Sequence, residues 1–271
     1  MNIGRLPGAS LIDLSGPLLT HRHLTPSSYK YLLELPLVLH FPSLHTFVVH
    51  AGLLPHDPLK ALSDTEQPLF SADTTLNNPN SRTSEELSIL HNVAQNTVPW
   101  NLINMRSVRT KGKRKGEPTK SSKKGKPWSK LWNKQMGRCR GPGIWEDEAE
   151  LDSETWEEDE EDVVQDDELG RRDDEDEEDD EVEEEALKCS PVTVIYGHAA
   201  GRGLDIKPFS KGIDTGCVVS KTFKSGSPAD VQYGKKLTAL ILGDHHEKGK
   251  SVRVGDEGGV LVSESCKEHG Y

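Results

Sequence analysis

Two stretches of this 271-residue chain place a histidine where it could hold a metal ion. In Val48-Val49-His50-Ala51-Gly52-Leu53-Leu54-Pro55 and in Val194-Ile195-Tyr196-Gly197-His198-Ala199-Ala200-Gly201, an apolar run ends in a histidine and passes into a glycine-containing loop. A strand holds an imidazole rigidly, and glycines let a cation or a phosphate approach the backbone. Taken singly, a histidine of this kind is more often structural than a ligand. His21-Arg22-His23 reads as an exposed loop, and Gly243-Asp244-His245-His246-Glu247 as a solvated turn. Cys139, Cys189, Cys217 and Cys266 form no C-x-x-C pair and no zinc-knuckle spacing, so they read as free thiols in a reducing compartment. The expected location is cytoplasmic, with the nucleus or the vacuole as alternatives.

The elements that would position these histidines are short. Thr25-Pro26-Ser27-Ser28 opens a helix over Tyr29 to Leu35, and Pro36 stops it. Leu37 to Phe41 and Thr46 to His50 read as strands joined by a turn at Pro42-Ser43. Thr83-Ser84-Glu85-Glu86 reads as a capping box opening a helix to about Gln95, with Leu87, Leu90 and Ala94 on one face. Val192 to Tyr196 is a further strand, and short strands follow near Ile213, Val218 and Leu237 to Leu242. A short helix carrying Trp128 and Trp132 follows Pro127.

Charge divides the chain. Lys and Arg number 33 against 45 Asp and Glu, a net −12. Between Trp145 and Leu187 there are 27 acidic and two basic residues, a net −25, which leaves +13 for the rest. Arg106 to Arg140 holds 14 Lys and Arg and one acid. Such segments bury too little apolar surface to offset the entropy of ordering them. The expected organisation is therefore a structured part over 1–110, a basic then acidic low-complexity insert over 111–187, mostly disordered, and a β-rich part over 188–271. No apolar run approaches the ~18 residues of a membrane-spanning helix, and the first twenty residues lack a secretory signal pattern. Lys111-Gly112-Lys113-Arg114-Lys115 and Lys123-Lys124-Gly125-Lys126 could attract a polyanion weakly, resemble a nuclear import signal, or simply balance the acidic run.

His50-Ala51-Gly52-Leu53-Leu54-Pro55 resembles the His-Ala-Gly-Leu-x-Pro motif of the calcineurin-like metallophosphatases, and more narrowly of the ApaH-like phosphatases. These are related to diadenosine tetraphosphatase and to the Ser/Thr phosphatases. Further segments match in order. Leu24-Thr25-Pro26, Tyr31-Leu32 and Leu35-Pro36-Leu37 precede it; Asn96-Thr97-Val98-Pro99-Trp100 and Asn104-Met105-Arg106 follow. Then come Gly125-Lys126-Pro127-Trp128, Leu131-Trp132-Asn133 and Tyr196-Gly197-His198-Ala199-Ala200 with Gly203-Leu204. Gly212-Ile213-Asp214-Thr215-Gly216-Cys217-Val218 and Leu237-Thr238-Ala239-Leu240 complete the series.

The resemblance implies an α/β fold, the C-terminal part of a four-layer αββα sandwich of two face-to-face sheets. It implies hydrolysis of phosphoester or phosphoanhydride bonds by two divalent metal ions, drawn from Mn, Zn, Fe or Mg. His50 and His198 match two histidine ligands of the second metal, and Arg106 matches a phosphate-gripping arginine, whose fork suits phosphate oxygens. No catalytic residue is assigned. The implied substrates are phosphoproteins, dinucleoside polyphosphates, mRNA caps or polyphosphate.

The chain departs from the family in two places. The motifs Gly-Asp-x-His-Gly, Gly-Asp-x-x-Asp-Arg-Gly and Gly-Asn-His-Glu, which supply the first metal's ligands, the bridging aspartate and the general-acid histidine, do not precede Thr25. Gly243 to Glu247 lies after the last matching strand and does not replace them. Val219 to Gln232 interrupts a segment the family runs continuously, as a retained intron or a polar hairpin tip would. The expectation is thus the C-terminal half of a metallophosphatase, catalytically incomplete as it stands and poorly soluble alone. The alternative is a non-enzymatic remnant that binds polyanions through its charged insert.

Overall fold

The computed structural model describes residues 25–62, 64, 66–68, 79–140, 187, 189–217, 236–243 and 249–266. Helix α1 (Pro26–Glu34) starts at Thr25, whose Oγ1 accepts the Ser28 backbone N–H at 3.2 Å. Pro26 takes the first helical position, where no N–H is needed. The helix buries none of its residues. Strands β1 (Val38–Phe41) and β2 (Thr46–Val49) run antiparallel around a 3-10 turn at Pro42–Leu44, and His45 closes that turn in the left-handed region with φ 47°.

Helix α2 (Pro79–Asn92) begins four residues before Thr83, so the expected capping box lies within the helix. Its buried residues are Glu86, Ile89 and Leu90, and Val93 follows them into the core; Ala94, expected on that face, is exposed. Helix α3 (Pro99–Asn104) leads to Met105-Arg106. Next come β3 (Ser107–Val108), β4 (Pro118–Thr119) and β5 (Lys126–Pro127), an antiparallel sheet in the order β4-β3-β5. Helix α4 (Trp128–Arg138) follows directly.

The boundary expected at residue 110 therefore does not appear. Residues 111–140, expected to be mostly disordered apart from a short helix after Pro127, form two strands and that helix, which spans Trp128–Arg138. The reason is concentrated apolar area. Trp128, Trp132 and Met136, four residues apart on one face of α4, are 1%, 0% and 0% exposed, while the lysines at 130 and 134 point away from that face. Average composition conceals such a stripe. The acidic run lies outside the described residues, as do 219–232, His21 to His23 and Asp244 to Glu247.

The second part contributes β6 (Thr193–Tyr196), β7 (Asp205–Lys207) and β8 (Ser210–Gly212). Parallel pairing sets Val49 opposite Tyr196, and β8 lies parallel to β6 on its other side. The five-stranded sheet has the order β1-β2-β6-β8-β7, so the chain is a mixed α/β fold with a parallel-containing sheet. The inner strands read Thr-Phe-Val-Val and Thr-Val-Ile-Tyr, the near-continuous apolar runs that strands buried on both faces require. A third sheet, β10-β11-β9, is made by β9 (Lys236–Leu242), β10 (Lys250–Val254) and β11 (Glu257–Ser265). Of these, β9 was expected and the β10–β11 hairpin was not; charged residues interrupt β10, and glycines open β11.

The cysteines correct a further expectation. Cys139 and Cys189 are disulfide-bonded with Cα atoms 4.7 Å apart, and Cys217 and Cys266 at 5.6 Å. Each pair is separated by about fifty residues, so only the fold brings its members together. Among the described residues no helix is long and apolar enough to cross a membrane.

Candidate functional site

The parallel pairing of β2 and β6 sets two strand ends side by side. His50 follows β2 directly, and Gly197-His198 follows β6. The Gly197 backbone N–H donates to the His50 carbonyl at 2.9 Å, which continues the ladder one step beyond the strands. The chain then turns at His198 with φ +58°, a left-handed conformation uncommon for a side chain larger than glycine. The turn brings His198 Nδ1 within 3.2 Å of His50 Nε2, with ring centroids 5.0 Å apart.

Arg106 joins this pair from the end of α3. Its Nε donates to the His198 carbonyl at 3.0 Å and its Nη1 to the Lys120 carbonyl at 3.0 Å. The structure therefore brings together all three residues singled out from the sequence. Arg106 holds the His198 turn through the backbone while keeping its guanidinium beside the imidazoles. Burial lowers the His198 pKa, as do the positive charge of Arg106 and the neighbouring His50, while Asp214 acts against them. The result favours the neutral imidazole, the form with a lone pair for a cation.

Four further residues build the surroundings, and sequence reasoning did not single them out for these roles. Asn96 is buried; its Oδ1 accepts the Leu54 N–H at 2.9 Å, and its Nδ2 donates to the carbonyls of Leu54 and Ile89 at 2.8 and 2.9 Å. It thereby fixes the loop that follows His50. Arg202 donates through Nη2 to the Arg106 carbonyl at 3.1 Å, supporting the arginine that supports His198. Asp214 follows Ile213, whose N–H donates to the Tyr196 carbonyl at 3.0 Å, so its charge comes close to His198. Trp128 packs under Gly52: a Cβ at Gly52 would stand 2.4 Å from the indole, which explains the glycine two residues after His50. None of these roles has a periodic signature, and each depends on a contact between distant segments.

Two imidazoles offer two nitrogen donors. Among the described residues, no group of three or more His, Cys, Asp or Glu side chains gathers as a metal ion requires. The donors fit part of a single-ion site. They do not fit the two-ion centre that the resemblance implies, which needs a bridging carboxylate and ligands for both ions.

No family model matches the chain, and no curated protein sequence matches it. Among solved structures, it is similar to a crystal structure of a proposed diadenosine tetraphosphatase, with 18% identity and a TM-score of 0.33 over 73% of this chain. The chain spans about half that protein's length, 49%. At that level of likeness, the functional reading rests on the chain's own residues.

Proposed function

We propose that the chain carries the histidine-bearing half of a metal-dependent phosphoesterase site of the calcineurin-like, ApaH-like kind, and that its own residues do not complete a hydrolytic centre. One observation carries the reading. His50 and His198, 148 residues apart, meet at 3.2 Å at the ends of neighbouring parallel strands, and Arg106 is bonded to the backbone of the second. The ordered series of ApaH-like motifs supports the same reading, and with it a four-layer sandwich for the complete enzyme. The ligand is a phosphate ester or anhydride, of the kind found in phosphoproteins, dinucleoside polyphosphates, mRNA caps and polyphosphate.

Two roles follow for the residues present. His50 and His198 would supply two nitrogen donors to one divalent ion, which would neutralise charge at a phosphate oxygen. Arg106 orients the phosphate through the part of its guanidinium not bonded to the two carbonyls. The described residues bring together no carboxylate to bridge two ions and no ligand set for a second ion, so hydrolysis is not expected from this chain alone. Metal content and p-nitrophenyl phosphate turnover of the 271-residue chain test this. Turnover near the buffer rate is expected with Mn, Zn, Fe or Mg, together with binding of one divalent ion per chain that His50→Ala weakens about tenfold or more. Brisk metal-dependent turnover lost in His50→Ala would show a complete centre. Divalent-ion binding unaffected by His50→Ala would remove the metal role.

A second reading, polyanion binding, is favoured by a different observation. Lys113, Lys115, Lys120 and Lys124 are exposed on the folded segment that also carries Arg106. The Lys120 carbonyl accepts from Arg106 Nη1 at 3.0 Å, which ties that segment's backbone to the site.

A further inference from the structure

The opposite end of β2 carries a second charged cluster, which the phosphate site does not use. His45 stands between two carboxylates from different elements. Its Nδ1 is 2.6 Å from Glu86 Oε1 on α2, and its Nε2 is 3.4 Å from Asp256 Oδ2 in the β10–β11 turn. Glu86 is completely buried, and its Oε2 is 2.5 Å from His40 Nε2 on β1. Arg82, one turn earlier on α2, donates to Asp256 Oδ2 at 2.9 Å and to the Pro191 carbonyl at 3.2 Å; its Nε is 3.5 Å from Glu86 Oε1. Glu85 acts on Glu86 and Arg82 from the same helix. Arg253 on β10 donates to the Gly255 carbonyl at 3.2 Å and is the hairpin's own cation here.

The hairpin turn is seated closely on the sheet. The Gly255 N–H donates to Thr193 Oγ1 at 3.0 Å. Gly255 has φ +58°, and a Cβ there would fall 1.7 Å from the Leu44 carbonyl oxygen, so only glycine permits the approach. Val254, just before it, is 0% exposed. A small displacement of the turn therefore breaks the Asp256 contacts and the Gly255 hydrogen bond together.

The state of His45 decides how well this seat holds. A neutral imidazole has one N–H; between two carboxylates it must turn a lone pair toward one of them. Only the imidazolium donates to both. Glu86 is buried and also held by His40, whereas the Asp256 side chain is 53% exposed and can move into water. The contact that yields is the one to the hairpin. We infer that His45 is a protonation-dependent clip that docks the C-terminal β10–β11 hairpin onto the central sheet, held while the ring carries two protons and loosened when one leaves. Docking is therefore strongest where the ring carries two protons while the Asp256 and Glu86 carboxylates are ionised, and it weakens as rising pH removes one ring proton. Arg82 keeps a share of the hold on Asp256 that does not depend on this proton, so the hairpin loosens without leaving the sheet.

NMR of the ¹⁵N-labelled full chain tests the clip by following the His45 ring nitrogens and the exchange protection of the Val254 to Glu257 amides, corrected for the intrinsic pH dependence of exchange. Protection is expected to fall about three- to tenfold, with its midpoint at the His45 titration, the size of a partly exposed charge pair. Asp256→Asn keeps the shape and removes the carboxylate; it is expected to abolish the step in protection while His45 still titrates. Protection that stays constant through the His45 titration would overturn the inference. So would a pH step that survives in Asp256→Asn, or a His45 that holds a single proton throughout about pH 5 to 9.

Discussion

A carboxylate next to the clip sets a pH dependence of its own. Burial pushes the Glu85 pKa up from 4.5 to about 7; the Glu86 charge adds to the rise, while the Ser190 backbone amide and Arg82 pull it down. Neither carboxylate oxygen has a hydrogen-bond partner of good geometry, which is why desolvation dominates. The folded chain therefore keeps a proton that the unfolded chain loses. The resulting stability is fully present below about pH 4.5, declines as pH rises, and is lost above about pH 7, with a ceiling of about 3 kcal/mol. Glu85→Gln makes this contribution independent of pH. Urea denaturation at pH 5 and pH 8 is expected to show a smaller difference in the variant than in the natural sequence; equal differences would mean that Glu85 does not hold the proton.

At the scale of elements, α4 turns a lysine-rich stretch into part of the core. Trp128 and Trp132 meet edge to face at 6.4 Å, and Trp128 meets the Tyr196 ring at 4.6 Å. Trp132 Nε1 donates to the Val192 carbonyl at 3.0 Å, so burying the indole leaves its polar atom satisfied. With α4 docked beside β6, the β4–β5 loop lies next to Arg106, whose Nη1 bonds the Lys120 carbonyl. If that loop binds a polyanion, changing Lys120, Lys123 and Lys124 together to Gln should weaken polyphosphate binding at low salt by about tenfold or more and reduce its salt dependence. Unchanged affinity would assign these lysines to balancing the chain's own acidic run.

At the scale of the whole molecule, one junction joins the described residues that flank that run in sequence. The Arg140 N–H donates to the Leu187 carbonyl at 2.8 Å, and the Leu187 N–H to the Arg138 carbonyl at 2.7 Å, with the Cys139–Cys189 bond beside them. Arg140 and Leu187, the described residues on either side of the acidic stretch, are thus neighbours in the fold. Closing a loop with a sequence separation of 50 restricts the unfolded chain, by about 4 kcal/mol in the chain-entropy account. Replacing both Cys139 and Cys189 by Ala should lower unfolding stability by up to that amount in denaturant. Thiol titration of the native oxidised protein should find no free cysteine; four reactive thiols would disprove both pairings.

The legible features were local ones. An apolar run ending in His and Gly marks a strand tip whatever it pairs with, and Thr25-Pro26 announces a helix start because capping involves neighbours alone. Arg106 was legible through its Met-Arg context. Asn96, Arg202 and Asp214 were not, since a buried or clamping polar residue is defined by partners far along the chain. The β10–β11 hairpin was missed because its charges and glycines suit a seat on another sheet better than a strand pattern.

The sequence by itself determined which residues can do chemistry here and which short elements carry them, because side-chain type and local periodicity act over a few residues. Only the tertiary structure decided which strand register brings His50 and His198, until then paired by the resemblance alone, to one place. It also decided that the cysteines pair, and that the lysine-rich segment around the expected Trp128–Trp132 helix is folded. Those outcomes depend on the parallel register of β2 with β6 and on where Trp128 and Trp132 find a core. The four-residue spacing of Trp128, Trp132 and Met136 marks an apolar helix face, but what that face packs against is set by segments far along the chain.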